Sequence, residues 1–180
     1  QSLNFEAFFY FTYTRFFNKS LAIPHFSIQD ISKICPIKLK QHGFKGLIFD
    51  KDNTLTAPYK NQIFPSISAP FKEFQSVFGD NIIIISNSAG TTDDKDYKNA
   101  AIIEHELGIK VLRHNRKKPA KINEIFKHFN CSSEELVMFG DRIFTDVVFG
   151  NRHGMFTIHT ALLTSEGDNK LASIIRCYEF

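Results

Sequence analysis

Two aspartates, Asp50 and Asp52, follow the apolar run GLIF of residues 46–49. Where a turn leaves a strand, side chains two positions apart can point at one site. Two carboxylates there repel each other unless a cation lies between them or one holds a proton. A Mg²⁺ ion between the carboxylates would relieve that repulsion, and Mg²⁺ is the usual cation at sites that bind phosphate. Asp50 is then a candidate nucleophile toward phosphorus. Asp52 is a candidate general acid and base. The alternative is an Asx-type turn, which is the commoner explanation of an isolated D-x-D pair.

Two further polar residues, Ser86 and Lys118, lie later in the chain. Ser86 ends the run IIIIS, and its hydroxyl and the nearby backbone N–H groups suit phosphate oxygens. An ordinary helix N-cap is the commoner explanation of that serine alone. Lys118 directly precedes Pro119 in a cluster of cations, and it could pair with Asp50 and a phosphate as a point charge. A solvated basic face is the alternative for such a cluster.

A second acidic pair, Asp141 and Asp146, lies in the stretch GDRIFTD. Asp141 ends an apolar run and is a candidate third carboxylate on the metal. Asp146 could hold a metal-bound water or orient the lysine. Each motif alone is weak, but their order along the chain, each at the end of an apolar run, indicates a phosphoryl-transfer site.

The elements that must bring these residues together are short apolar runs that alternate with longer, helix-compatible segments. The runs predict strands at 46–50, 81–86, 110–114, 136–141 and 155–160. The segments between them predict helices at 66–78, 93–107 and 119–129. Continuous apolar strands separated by helices indicate an α/β fold with a central parallel sheet that is covered on both faces. Right-handed crossovers place the carboxyl ends of all strands at one edge, where ligands bind.

This ordered set resembles the haloacid dehalogenase (HAD) superfamily of phosphatases. Its four motifs correspond here to DKDNT at 50–54, Ser86, Lys118 and GDRIFTD at 140–146. The common first motif has Gly where this chain has Asn53, and both aspartates and Thr54 are retained. The resemblance implies a Rossmann-like three-layer sandwich with a central sheet of five parallel strands.

Longer motifs narrow the resemblance to the mitochondrial phosphatidylglycerophosphatase family. They are LIFDKDNTL, ISNSAGTTDDKDY, GIKVLRHNRKKP and GDRIFTDVVFGNRHG. Members of that family dephosphorylate phosphatidylglycerophosphate to phosphatidylglycerol, a step toward cardiolipin, at the matrix face of the inner mitochondrial membrane. The resemblance therefore implies a peripheral, mitochondrial, Mg²⁺-dependent enzyme that forms an aspartyl-phosphate and acts on an anionic phospholipid.

The same resemblance implies a role for each site residue. The nucleophile is Asp50, the acid and base is Asp52, and the phosphate is bound by Ser86, Asn87 and Lys118. The implied Mg²⁺ ligands are Asp50, the backbone carbonyl of Asp52, and Asp141. Thr54 and Asp146 are expected to support these groups.

The site is expected to be open. Only a short segment separates Leu55 from Asn81, and the loop after Ser86 is also short, so we expect no large cap domain. An open site cannot close over a small metabolite, but it can be pressed against a bilayer.

The chain is expected to divide into three parts. They are an aromatic-rich N-terminal segment (1–20), a connector (21–45) and a HAD-like phosphatase domain (46–180). The N-terminal segment predicts a helix on which Phe5, Phe9, Tyr13, Phe16 and Phe17 share a face. That face could lie on a bilayer, or it could pack on its own domain or on a partner protein, such as a subunit of a membrane complex.

The composition narrows the function classes further. The net charge is only +3 and no dense basic stripe occurs, which argues against a nucleic-acid partner. No C-x-x-C pair is present, which disfavours a structural zinc site. Two alternatives remain open at this level: a phosphatase acting on another phosphate ester, and an accessory subunit of a mitochondrial membrane complex with a retained HAD fold.

Overall fold

A computed structural model describes residues 5–167, in which strands and helices alternate along the chain. The strands are β1 (Phe26–Ile28), β2 (Gly46–Phe49), β3 (Ile82–Ile84), β4 (Lys110–Val111), β5 (Leu136–Gly140) and β6 (Phe156–Thr160). The α-helices are α1 (Phe5–Phe16), α2 (Pro36–Gln41), α3 (Ser68–Phe78), α4 (Lys98–Leu107), α5 (Glu124–Phe129) and α6 (Val148–His153). Short 3₁₀ turns cover Lys19–Ala22, Ile31–Lys33, Pro65–Ile67, Lys95–Tyr97 and Ser133–Glu135, and a π-helical turn covers Ile143–Val147. Residues 1–4 and 168–180, the outer ends of the predicted N-terminal segment and phosphatase domain, lie outside the described residues.

The sheet is wholly parallel, with the strand order β1-β6-β5-β2-β3-β4. The five predicted strands are all present, but the sheet has six strands rather than five. The additional strand, β1, lies inside the segment 21–45 that was predicted to be a connector, and it pairs with β6 at the edge of the sheet. It was missed because it has only three residues, two of which are exposed, so no apolar run marks it.

The core lies on both faces of the sheet. Leu47 and Phe49 of β2 belong to one cluster with α3 and α4, and Ile48 belongs to a second cluster with α5 and α6. Successive side chains of a strand point to opposite faces, so a strand covered on both faces must be apolar at every position. The rings of Phe49 and Phe139 stack 4.5 Å apart across β2 and β5, and this packing fixes the two strands whose ends carry Asp50 and Asp141.

The helix predicted to begin at Pro119 begins instead at Glu124. Residues 117–120 form a turn that is closed by a hydrogen bond from the Ala120 N–H to the Lys117 carbonyl. The proline therefore belongs to this turn, and the turn buries the side chain of Lys118 completely.

Among residues 5–167 no domain is inserted between the strands, so the prediction that a large cap domain is absent agrees with the fold.

The described side chains of helix α1 divide between a side that packs on the domain and a side that is exposed. The ring of Phe11 lies 4.8 Å from that of Phe144 in the π-helical turn, and the Arg152 guanidinium lies 3.8 Å from the centre of the Tyr10 ring. On the other side Phe9, Phe16 and other aromatic residues are exposed. No helix within the described residues is long and apolar enough to cross a membrane.

Candidate active site

Three buried carboxylates meet at the carboxyl edge of the sheet. Asp50 follows β2, Asp141 follows the neighbouring strand β5, and Asp146 lies in the π-helical turn behind them. One carboxylate oxygen from each of the three lies within 4.8 Å of the others. The parallel order of the sheet explains the meeting of Asp50 and Asp141, because adjacent strands end side by side.

The position of Asp146 depends on Gly140. A Cβ atom on Gly140 would lie 2.3 Å from the Cβ of Asp146, which is too close for two non-bonded carbon atoms. The absence of a side chain at residue 140 therefore lets the π-helical turn fold back onto the end of β5. The Arg142 N–H donates a hydrogen bond of 3.2 Å to Oδ2 of Asp146, which orients the carboxylate toward the cluster.

Lys118 supplies a buried cation to this cluster. Its Nζ lies 2.6 Å from Oδ1 of Asp50 and 2.6 Å from Oδ1 of Asp146. Burial alone would lower the pKa of Lys118, but the Asp146 and Asp50 carboxylates outweigh burial and raise the pKa above its ordinary value. The lysine is therefore a fixed positive charge between two of the three acids.

The backbone of Lys118 is held by Asn87. The side-chain Oδ1 of Asn87 accepts a 2.7 Å hydrogen bond from the Lys118 N–H, and its Nδ2 donates a 3.2 Å bond to the Lys118 carbonyl. Asn87 was predicted to bind phosphate; in the structure its side chain contacts the backbone of Lys118, which was predicted to bind phosphate as well. This contact joins the segment after β3 to the segment after β4.

Ser86 lies at the end of β3 and is buried. Its Oγ lies 3.0 Å from Oγ of Ser88 and accepts a 3.2 Å hydrogen bond from the Ser88 N–H. The helix that follows in sequence, α4, begins at Lys98, so Ser86 is not its N-cap. The serine pair and the nearby N–H groups are donors of the kind that phosphate oxygens accept.

Asp52 stands apart from the three buried acids. Its Oδ1 lies 2.7 Å from Nζ of Lys51 and accepts a 3.0 Å hydrogen bond from the Tyr59 N–H. Its side chain is 30% exposed, and it borders a cleft of about 530 Å³ that Asn61, Ser88 and other residues also line. The Asp52 carboxylate is therefore accessible from this cleft.

Residues 53 and 54 form the tight part of the first motif. Asn53 has a φ of 63°, a left-handed conformation that asparagine tolerates better than most residues other than glycine. Its Oδ1 accepts a hydrogen bond from the Thr164 N–H. Thr54 is buried, and its Oγ1 has no hydrogen-bond partner among the described residues. Asparagine at the common glycine position is therefore compatible with the turn.

The three carboxylates suit a hard divalent cation. Burial raises the pKa of the Asp50 carboxyl above its ordinary value, Lys118 opposes that rise and Asp146 adds to it. A cation between Asp50, Asp141 and Asp146 would favour their ionised forms. Oxygen-only ligands of this charge are those that Mg²⁺ prefers, so the donor set fits the predicted metal.

Two features of the site were missed by sequence reasoning. Asp146 was expected to hold a metal-bound water or to orient the lysine; it does contact Lys118, but its place in the acidic cluster was not predicted. Lys51 was given no role, although it is 3% exposed and contacts Asp52 directly. The position of Lys51 between two aspartates, directly after a buried strand, could have indicated that this lysine contacts one of them.

The parallel sheet and the arrangement of Asp50, Ser86, Lys118 and Asp141 at its carboxyl edge define the class of the protein as a HAD-type fold. The family model described as Mitochondrial PGP phosphatase matches residues 6–162. The chain belongs to this family.

Curated relatives agree with that assignment. The chain is 48% identical over 149 residues to phosphatidylglycerophosphate phosphatase 1, chloroplastic/mitochondrial, of Arabidopsis thaliana, covering 82% of this chain and 43% of the relative. It is 45% identical to the chloroplastic phosphatidylglycerophosphate phosphatase 1 of Chlamydomonas reinhardtii, covering 84% and 57%. It is 32% identical to the mitochondrial phosphatidylglycerophosphatase of Saccharomyces cerevisiae, covering 79% of each chain. The chain thus spans about half the length of the Arabidopsis and Chlamydomonas relatives.

Proposed function

We propose that this protein is a Mg²⁺-dependent phosphatidylglycerophosphatase, which hydrolyses phosphatidylglycerophosphate to phosphatidylglycerol and phosphate. The observation that carries the proposal is the contact of Lys118 with both Asp50 and Asp146, 2.6 Å in each case, inside a cluster of three buried carboxylates. Relatives named for this activity, at up to 48% identity in the alignments described above, support the choice of substrate.

The residues of the chain suggest how the reaction proceeds. A carboxylate oxygen of Asp50 attacks phosphorus, and the bond from phosphorus to the ester oxygen breaks. Asp52, at the border of the cleft, gives a proton to the departing oxygen and afterwards takes one from the water that hydrolyses the aspartyl-phosphate. Lys118 orients Asp50 and offers its positive charge to the phosphoryl group, and Ser86 donates a hydrogen bond to a phosphoryl oxygen.

Asp50, Asp141 and Asp146 would hold the Mg²⁺ ion, together with the Asp52 backbone carbonyl that the family resemblance implies. When bound, the ion would supply positive charge that neutralises the phosphate and the carboxylates. Asp146 has a second role, because its Oδ1 contacts the lysine.

The open edge of the sheet suits a substrate that remains in a bilayer. No inserted domain covers the cleft beside Asp52 within residues 5–167. A site of this kind can meet the headgroup of a lipid without drawing the whole molecule out of the membrane. We accordingly propose a peripheral location on the matrix side of the inner mitochondrial membrane, within cardiolipin biosynthesis.

Helix α1 offers a surface for that membrane contact. Phe9, Phe16 and Phe17 are 59%, 72% and 78% exposed, and Arg15 lies between them near the end of the helix. Aromatic side chains flanked by cations are typical of segments that lie in the interface of an anionic bilayer. Because Phe11 packs on Phe144, which lies between Asp141 and Asp146 in sequence, the same helix is attached to the catalytic edge.

A comparison of substrates tests the proposal. Phosphate release is measured from phosphatidylglycerophosphate in mixed micelles, from glycerol 3-phosphate and from p-nitrophenyl phosphate, each with Mg²⁺. The proposal expects the lipid to give the highest kcat/KM. A higher value for glycerol 3-phosphate would indicate a phosphatase for soluble esters, and no release from any ester would contradict a phosphatase function altogether.

A further inference from the structure

The contacts of Lys51 point to a role in the reaction that depends on the proposed phosphatase function. We propose that Lys51 is a positioning residue for Asp52: it fixes one carboxylate oxygen so that the other faces the leaving group of the ester. Lys51 lies between the two aspartates of the first motif, and its side chain is only 4% exposed.

The Lys51 ammonium has three acceptors, which together fix its place. Nζ lies 2.7 Å from Oδ1 of Asp52, donates a 2.7 Å hydrogen bond to the Lys60 carbonyl, and donates a 3.3 Å bond to Oγ1 of Thr56. An ammonium has three protons to donate, so each proton has a partner. A buried cation that is satisfied in this way has little freedom to turn elsewhere.

The carboxylate of Asp52 is correspondingly fixed on one side. Its Oδ1 receives both the Lys51 ammonium and the Tyr59 N–H, at 2.7 Å and 3.0 Å. Its Oδ2 accepts no hydrogen bond from the described residues. Since Asp52 borders the cleft, Oδ2 is the oxygen that is available to exchange a proton with a substrate.

The backbone of Lys51 supports the same loop. Its carbonyl accepts hydrogen bonds from the N–H groups of Leu55 and Thr56, each 3.0 Å long. Through its ammonium it also binds the Lys60 carbonyl at the far end of the loop. The loop that presents Tyr59 to Asp52 is therefore held at both ends by Lys51.

These contacts assign Lys51 to one step of the reaction. While Asp50 bonds to phosphorus and the bond from phosphorus to the ester oxygen breaks, the electron pair of that bond stays on the departing oxygen. Oδ2 of Asp52 gives its proton to this oxygen. An alkyl alcohol leaves poorly without that proton, whereas p-nitrophenolate leaves readily without it. Loss of Lys51 should therefore slow the alkyl ester selectively.

The test compares the variants Lys51→Gln and Lys51→Met with the wild-type protein on phosphatidylglycerophosphate and on p-nitrophenyl phosphate. Lys51→Gln keeps hydrogen-bond donors and removes the charge, and Lys51→Met removes both. We expect formation of phosphatidylglycerol in the first turnover to slow by about 100-fold in Lys51→Met, with first-turnover release of p-nitrophenolate changing by less than about threefold. The first turnover is measured because Asp52 also serves the later hydrolysis of the aspartyl-phosphate, which is common to both esters. Lys45→Met is the matched control, because Lys45 pairs with Glu135 at the opposite edge of the sheet, and it should leave both rates unchanged.

A double-variant cycle separates positioning from a structural role. If Lys51 acts through Asp52, then Lys51→Met should have little further effect on the lipid rate in the Asp52→Asn background. Equal losses in the first turnover of both esters, or the same loss with and without Asp52, would overturn the proposal. So would loss of the fold in both Lys51 variants, because Lys51 would then be a structural residue. Absence of activity in the wild-type protein would instead contradict the proposed function.

Discussion

The Nζ of Lys118 lies 2.6 Å from Oδ1 of Asp50, although 68 positions separate the two residues in sequence. The contact joins the segment after β2 to the turn that precedes α5, with β3 and β4 between them in the chain. Both side chains are buried, so the charge of each depends on the other. This pair brings the positive charge of the site to the carboxylate that we propose as the nucleophile.

Replacement of Lys118 tests the charge balance of the site. In Lys118→Met, Asp50 and Asp146 lose their shared cation inside the protein. Removal of one partner of a buried ion pair typically costs about 3–5 kcal/mol, and we expect the free energy of unfolding without Mg²⁺ to fall by about that much. Added Mg²⁺ should recover part of the loss, because the three carboxylates fit that ion. Urea denaturation with and without Mg²⁺ measures both effects.

Lys117→Met is the matched control for that change. Lys117 pairs with Asp93 at 2.8 Å, but its side chain is 14% exposed and that of Asp93 is 24% exposed. We expect a loss of less than about 1 kcal/mol, and no recovery with Mg²⁺. Equal losses in the two variants would contradict the account of Lys118 as the cation that balances the acidic cluster.

The pH dependence of stability should report on Asp94. Burial raises the pKa of Asp94, but hydrogen bonds from the N–H groups of Gly90, Asn99 and Ala100 outweigh it and bring the pKa below the ordinary value of 3.8. A pKa that is lower in the folded state adds stability above the unfolded value, and that stability is lost as the pH falls through the folded value. Asp94→Asn should therefore lower the free energy of unfolding by about 1–3 kcal/mol at pH 7, and the difference should shrink below about pH 4.

Urea denaturation as a function of pH measures this difference. Asp96→Asn is the control, because the side chain of Asp96 is 68% exposed, and its effect should stay within about 0.5 kcal/mol at every pH. A difference between the wild-type protein and Asp94→Asn that grew toward acid pH would contradict the lowered pKa.

Asn53 explains how the first motif departs from its common form. Its φ of 63° is open to glycine and asparagine but strains a β-branched residue. Asn53→Gly should lose only the hydrogen bond from Thr164, about 1 kcal/mol of stability. Asn53→Val should lose that bond and also carry backbone strain, for a total of about 2–4 kcal/mol. Urea denaturation of both variants checks the order, and a valine variant as stable as the glycine variant would contradict it.

The exposed aromatic residues at the end of α1 and directly after it should bind an anionic bilayer. In the double variant Phe16→Ser and Phe17→Ser, we expect the fraction bound to vesicles of phosphatidylglycerol and phosphatidylcholine to fall about tenfold, since two large apolar side chains no longer enter the interface. Co-sedimentation with the vesicles measures the bound fraction. Ile37→Ser, an apolar residue on α2 that is 56% exposed, is the control. Unchanged binding of the double variant would contradict the bilayer proposal and would favour a protein partner for this face.

The site residues that could be predicted from the sequence are those placed by the strand order and direction alone. Asp50, Ser86 and Asp141 end apolar runs, and a parallel sheet must bring such ends to one edge. The placement of Asp146 depends on a π-helical turn and on the close approach of this residue to Gly140. Neither feature can be predicted from the structural propensities of the residues. The side-chain contact of Asn87 with the backbone of Lys118 likewise depends on the path of two loops.

Strand β1 was not predicted from the sequence for a different reason. Phe26 is 56% exposed, and the strand owes its place to pairing with β6 and to the hydrogen bond from the His25 N–H to the Thr157 carbonyl. These partners are more than a hundred residues away in the chain. The local sequence of such a short edge strand contains no hydrophobic pattern from which the strand could be predicted.

The most direct test of the account is phosphate release from phosphatidylglycerophosphate by the wild-type protein and by Asp50→Asn, each with Mg²⁺ and with a chelator. We expect the wild-type protein to release phosphate only with Mg²⁺, and we expect the rate to fall by ~1,000-fold or more in Asp50→Asn. Asp80→Asn, an exposed aspartate before β3, should retain full activity. A folded Asp50→Asn variant that releases phosphate at the wild-type rate would contradict the assignment of Asp50 as the nucleophile, and with it the proposed reaction.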